Sequence, residues 1–294
     1  METILVAGAT GYLGRHLVVE LARRGFAVRA VVRSRERAER PGPFGSPSLA
    51  AAVAEWAEGE VTDPTFVAGL CRGVTRVASA LGVTRQKASP WDVDFLANLH
   101  LLQDAEREAV RSFLYVNVMH AASGRSLILR AKAAFAAVLE RSPVAHQIVN
   151  PSGYFSDVGE FLDMARRGLA VLPPDPDVRV APIHGEDLAR FCADRIGDTS
   201  GSWDVGGPDV LTYRQIVDLA FAAAGRTGRT LTMPAALLNG AVWTASRLGE
   251  RPGDLATFFA EGLTREAVGE SYGSHHLAGY FASLAEGPAA RSEG

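Results

Sequence analysis

Three glycines at a spacing of three, Gly8, Gly11 and Gly14, stand between an apolar run and an amphipathic one. Residues 4–7 read as a buried strand and residues 14–24 as a helix. A plain strand-to-helix turn needs one glycine. Three of them in this context point to the loop of a βαβ dinucleotide-binding unit. Gly8 permits the tight turn, Gly11 lets the backbone approach a pyrophosphate, and Gly14 lets helix and strand pack closely. The N–H groups and dipole at the helix start attract negative charge. Thr10, Tyr12 and Leu13 complete the turn and belong to the expected nucleotide contacts.

The same alternation continues to about residue 150. Strands are predicted at 27–32, 53–57 (weaker), 74–81, 113–118 and 144–149, and helices at 64–71, 90–108 and from there to about 140 after the fifth strand. Each crossover must lay a helix back on the sheet, so the expected fold class is α/β, a doubly wound parallel sheet of Rossmann type. Residues 1–150 form the nucleotide-binding domain in this reading. Residues 151–294 form a smaller, mainly helical substrate-binding lobe, with parts returning to the Rossmann sheet. Short strands are expected there at 179–183, 203–205 and 230–233, followed by about sixty mostly helical residues. Asp63-Pro64 and Ser89-Pro90 each set a capping side chain before a proline at a helix start, and Thr212 with Gln215 has capping-box spacing.

Composition narrows the class of partner. The 294 residues are 47% hydrophobic and 21% charged, enough apolar material for a sizeable core. Thirty basic residues against 33 acidic ones leave a net charge of −3 and no basic stripe, so a small-molecule substrate is expected and nucleic acid is not. Cys71 and Cys192 lack ligand spacing, which argues against a disulfide framework or structural zinc. The N-terminus has no basic stretch before an apolar one, and no apolar run reaches the ~18 residues that span a bilayer, so the expected setting is cytoplasmic, as monomer or homodimer. Basic residues are nearly all arginine, and the lysines are only Lys87 and Lys132. Such arginine and alanine usage suggests a GC-rich bacterial genome and is compatible with secondary metabolism.

The second strand ends Val31-Val32-Arg33-Ser34-Arg35, with no carboxylate before Glu36. An acidic residue there would bind a ribose 2′-hydroxyl, whereas a cation accommodates a 2′-phosphate. NADP(H) is therefore favoured over NAD(H), with Arg33 the leading phosphate ligand and Ser34 a secondary donor.

Taken together, the glycine turn, Arg33, Asp63, Ser79-Ala80-Leu81-Gly82, Lys132, Pro151-Ser152-Gly153-Tyr154-Phe155 and Pro182-Ile183-His184-Gly185-Glu186-Asp187-Leu188 resemble the atypical short-chain dehydrogenase/reductases, in particular their NmrA-like and isoflavone-reductase-like branch. The resemblance implies that Asp63 contacts the adenine and that Ala80, Leu81 and Gly82 line the ribose pocket. Asp63 is also suited to cap the helix opening at Pro64. Standard members of that superfamily pair a serine after the fifth strand with Tyr-x-x-x-Lys on the next helix. Here Lys132 is kept, Ile128 stands in the tyrosine position, and Asn117 stands in the serine position.

Asn117 can polarise a carbonyl but is a poor acid. The remaining candidates for moving a proton are Lys132, as the isoflavone-reductase branch implies, His120 beyond the same strand, and Tyr154 after the sixth strand. Tyr154 also reads as a pocket wall, and His120 as a structural or exposed histidine. His184 reads as structural, tying the lobes together; His100 as a core or helix-surface residue; and His275-His276 lacks the further ligands of a metal site, so no metal is expected. The expected activity is NADPH-dependent reduction of an enone, quinone or ketone. A non-redox isomerase, dehydratase or cyclase on the same fold, and an NADP(H)-sensing regulator without turnover, are the alternatives.

Overall fold

The computed structural model describes residues 1–83 and 88–286, so Lys87 lies outside the described residues. The chain divides into two compact units, residues 1–122 with 127–150 and 188–203, and residues 123–126 with 151–187 and 204 onward.

The first unit begins β1 (Thr3–Ala7), α1 (Tyr12–Arg23), β2 (Ala27–Val32), α2 (Arg35–Ala38), β3 (Glu55–Glu58), α3 (Pro64–Val67), β4 (Arg76–Ser79). A π-helical turn, Trp91–Ala97, leads without a break into α4 (Asn98–Arg107), followed by β5 (Ser112–Val116), α5 (Leu127–Leu139) and β6 (Ala145–Pro151). Its strands run parallel in the order β6-β5-β4-β1-β2-β3. Strand order reverses direction at β1, where a doubly wound sheet opens the crevice that holds a ligand. The core is apolar on both faces. Leu5, Val77, Leu102, Phe113, Tyr115, Phe135 and Ile148 are buried together, with the Phe135 ring 4.7 Å from that of Tyr115.

The second unit contributes α6 (Phe155–Arg166), β7 (Leu169–Leu172), β8 (Arg179–Val180), the start of α7 (Gly185–Arg195), the end of β9 (Gly201–Gly206), β10 (Leu211–Thr212), α8 (Tyr213–Ala223), β11 (Arg229–Thr232), α9 (Ala235–Leu248), α10 (Glu250–Thr264), β12 (Glu270–Ser271) and α11 (Leu277–Glu286). With β9 and β12 the large sheet has eight strands among the described residues. β7 and β11 form a separate parallel pair.

Where element boundaries differ from the sequence reading, local chemistry explains it. The helix expected at 64–71 stops at Val67, because Gly69 takes a left-handed conformation (φ 85°) and Asp104 accepts the N–H groups of Gly69 and Cys71 in place of helical carbonyls. The helix expected over 90–108 opens as a π-turn, with the Ser89 hydroxyl accepting the Trp91 N–H. The strands expected over 74–81 and 113–118 are trimmed to β4 and β5, and that expected at 179–183 to the two residues of β8. The Thr212–Gln215 capping box forms, at 2.9 and 3.2 Å.

Candidate functional site

The glycine turn explains its own composition. Gly8 has φ 75°, and a Cβ there would meet the Ala80 carbonyl oxygen at 2.5 Å; a Cβ on Gly14 would meet the Gly8 carbonyl oxygen at 2.0 Å. Both positions therefore exclude any side chain on grounds internal to the chain. Gly11 differs. It is exposed, and its Cβ would find only the Gly8 oxygen at 3.4 Å, so little within the chain requires a glycine there. An open, side-chain-free surface at the start of the twelve-residue α1, with no capping side chain and no acidic residue in the first turn, suits a pyrophosphate. These residues fit a dinucleotide. Thr10 and Tyr12 are half-buried and Leu13 is buried beneath the turn.

A residue the sequence reading passed over holds this region together. Arg15, 4% exposed, donates its guanidinium hydrogens to the carbonyls of Thr10, Arg37, Ala38, Arg40 and Pro47. It ties the glycine turn to the loop after β2, the loop that carries Arg33 and Ser34. Four of those five carbonyls come from a segment 22 to 32 residues away, so only its burial in α1 could have hinted at the role. Arg33 is exposed and has no ion pair among the described residues. Ser34 caps α2, its hydroxyl accepting the Arg37 N–H at 3.4 Å, which leaves the hydroxyl hydrogen for another acceptor. The nearby carboxylates are engaged: Glu36 pairs with Arg40, and Glu39 with Arg35. Asp63 caps α3 through the Thr65 N–H at 2.8 Å.

Lys132 lies on α5 at the C-terminal ends of β4 and β5, where its ammonium donates to the carbonyls of Leu81 (3.2 Å) and Val116 (3.4 Å). It also meets Asp94 Oδ1 at 2.9 Å, an ion pair between a lysine side chain 11% exposed and an aspartate fully buried. Sequence reasoning missed Asp94, 38 positions away on the π-turn. Burial pushes the Asp94 carboxyl up, against the pull of the Lys132 ammonium and the Val83 N–H. A Cβ on Gly82 would lie 3.4 Å from both Asp94 Oδ1 and Lys132 Nζ, so Leu81 and Gly82 lean directly on this pair. Ala80 in turn abuts Gly8. A continuous run of contacts thus joins the glycine turn to the lysine.

Ile128, one turn before Lys132, is 2% exposed. Tyr115 puts its ring 5.4 Å from the ammonium but is fully buried, and that burial pushes its phenol up. Ile128 has no hydroxyl, and the Tyr115 phenol is fully buried. Asn117 extends β5, donates to Asn150 Oδ1 at 2.9 Å, and has its own Oδ1 buried without a partner among the described residues. His120 is exposed in the loop after β5, with a left-handed backbone (φ 63°). Such a conformation at a non-glycine residue marks a constrained turn.

Tyr154 and His184 lie in the second unit. Asp157 accepts the Tyr154 N–H at 3.1 Å at the start of α6. His184 stacks on His275 at 4.2 Å and packs edge-on to Phe155 and Tyr280. The fold brings donor atoms of His184, Glu186 and His275 within 4.8 Å of one another, a proximity no spacing argument foresaw. The two rings are within 22° of parallel. His184 Nδ1 accepts the Glu186 N–H, and His275 Nδ1 faces Asp187 at 3.0 Å.

Residues 8–199 match the model of a family described as NAD(P)H-binding. The chain belongs to that family. The resemblance to the atypical short-chain reductases holds, and a nicotinamide nucleotide is the cofactor for which this NAD(P)H-binding chain is built. It is 32% identical over 268 residues to the chloroplastic divinyl chlorophyllide a 8-vinyl-reductase of Zea mays, covering 84% of this chain and 66% of that protein. It thus spans just under two thirds of the maize relative. It is 21% identical to the photosystem II assembly factor Ycf39 of Trieres chinensis, over 80% of this chain and 73% of that one. Among solved structures, the NADPH complex of the NADPH-dependent quinone oxidoreductase QOR2 from Escherichia coli superposes with a TM-score of 0.75 at 16% identity, over 96% of this chain and 99% of that one, a likeness of fold.

Proposed function

We propose that this chain is an NADPH-dependent reductase of small molecules whose substrate is an electron-poor, conjugated double bond: an enone, a quinone or a vinyl group conjugated to a larger π-system. The observation that carries this reading is the state of Lys132, bound to a buried carboxylate and two carbonyls one turn after Ile128. When bound, NADPH supplies hydride. An isolated ketone would then become an alkoxide needing a proton at once, and the chain offers no phenol at the position where relatives place one. A conjugated acceptor spreads the new electron pair over its π-system, and a proton from water completes the reduction without a strong acid. Lys132, held by Asp94 and the two carbonyls, stabilises the anion that forms. Asn117, with an unpartnered buried oxygen at the end of β5, orients polar groups at the same strand edge. The maize relative acts, by its name, on a vinyl group, in line with this chemistry. Preference for NADPH rests on Arg33, which has no ion pair among the described residues, and the setting proposed is cytoplasmic.

The test is a panel of enones, quinones, vinyl-conjugated macrocycles and simple ketones, with consumption of NADPH followed by its absorbance. Turnover of conjugated acceptors, at least tenfold slower for simple ketones and lost in Lys132→Ala with NADPH binding still measurable, is expected. NADPH binding without reduction of any acceptor would favour an isomerase or a sensor.

A further inference from the structure

The carboxylate beneath the lysine is the least expected group in the first unit. Asp94 is fully buried on a π-turn whose other inward residues, Val93 and Ala97, are apolar. Burying a carboxylate is unfavourable, and a buried ion pair is weak evidence of a contribution to stability, so its retention asks for another reason. Its two oxygens have different partners. Oδ1 meets Lys132 Nζ at 2.9 Å, and Oδ2 accepts the Val83 N–H at 3.1 Å. Lys132 closes the circuit by donating to the Leu81 carbonyl. The segment 80–83 is therefore gripped from both sides by one ion pair, while Ser79 accepts the Leu81 N–H and donates to Asn98, which is itself held to the Val93 and Asp94 carbonyls. The π-turn matters here: widening one turn of the helix rotates Asp94 into line with Lys132 and Asn98 into line with Ser79.

We propose that Asp94 is a positioning residue of the reductase site, aiming the Lys132 ammonium and fixing the backbone of residues 80–83 against the glycine turn. The idea rests on the reductase reading for its effect on turnover, but the position of the ammonium can be read without any substrate. Asp94 has no exposed surface. It acts through Lys132.

Because the chain has only two lysines, lysine-labelled protein gives two side-chain signals, assigned by Lys87→Arg. In the wild-type protein the Lys132 ammonium hydrogens are expected to exchange slowly enough to be seen at neutral pH, being held by Asp94, Leu81 and Val116. Their absence, with only fast-exchanging solvent-like signals, would overturn the proposal without recourse to a variant. Asp94→Asn keeps the shape and an acceptor for Val83 but removes the charge. It should move the Lys132 resonance, make it titrate at lower pH than in the wild type, and alter the pH profile of kcat. kcat should fall about 10- to 100-fold while the Kd for NADPH changes less than threefold. An unchanged Lys132 resonance, or wild-type kcat with an unaltered pH profile, would contradict the positioning role. If the wild type reduces no acceptor at all, the reductase reading fails while the resonance arm still decides the role of Asp94.

Discussion

The glycine turn and the lysine pocket adjoin in the first unit yet are built on opposite principles. The turn holds its shape by excluding atoms: at Gly8 and Gly14 a single methyl would strike backbone oxygen, and the buried cation that braces it, Arg15, is held by backbone carbonyls. The pocket holds its shape by burying charge, Asp94 against Lys132, with backbone carbonyls and one N–H completing the set. Steric exclusion survives changes of pH and salt. Buried charge depends on a partner elsewhere in the chain and fails when that partner is lost. The turn is accordingly suited to a constant part of a ligand, the pyrophosphate, and the pocket to the part that reacts.

Substitutions can break this contrast. The largest effect is expected at Gly14→Ala, whose methyl would lie 2.0 Å from the Gly8 oxygen. Stability should fall by about 1–3 kcal/mol in a denaturant titration, and NADPH affinity should fall by about a hundredfold or more. If the protein tolerated it with unchanged binding, the turn would not be sterically determined. Gly11→Ala sharpens the same point, because the chain leaves that position open. Stability should change by no more than about 0.5 kcal/mol while NADPH affinity drops roughly tenfold, a loss that only a ligand approaching this backbone explains.

Arg33→Ala comes next. A charge-assisted bond to a 2′-phosphate is worth about 1.5–3 kcal/mol, so NADPH should bind roughly 10- to 100-fold more weakly with NADH affinity unchanged. Equal losses for both nucleotides would remove Arg33 as the discriminating residue.

The smallest expected effect concerns pH and the helix behind the turn. Arg23 above all, and Arg24 with it, hold the Glu20 carboxyl at about 2 against the opposing cost of burial, below the ordinary value of 4.5. A depressed folded-state value stabilises the native protein above pH 4.5, and the contribution is lost as pH falls toward 2. Since Arg23 is largely exposed, the pair is screened and contributes on the order of 1 kcal/mol. Glu20→Gln should be less stable than the wild type at pH 7 by that amount, with the gap closing between pH 4.5 and 2 in thermal unfolding; a constant gap would contradict the pairing.

The same contrast decides what could be read from the sequence. Gly8, Gly11 and Gly14 announce themselves because their spacing falls within seven residues, and the strand and helix on either side supply the context. Lys132 was legible from its rarity and position. Asp94 was not: its register on the helix depends on a π-turn that no 3.6-residue periodicity reveals, and its partner is 38 residues away. Arg15 was hidden similarly, its five acceptors being backbone carbonyls that carry no side-chain signature. His184 and His275, 91 residues apart, meet only through the fold.

Calorimetric titration of the wild-type protein with NADPH and, separately, NADH bears most directly on the central assignment. One equivalent of NADPH should bind at least tenfold more tightly than NADH. No heat of binding with either nucleotide would contradict the account at its foundation.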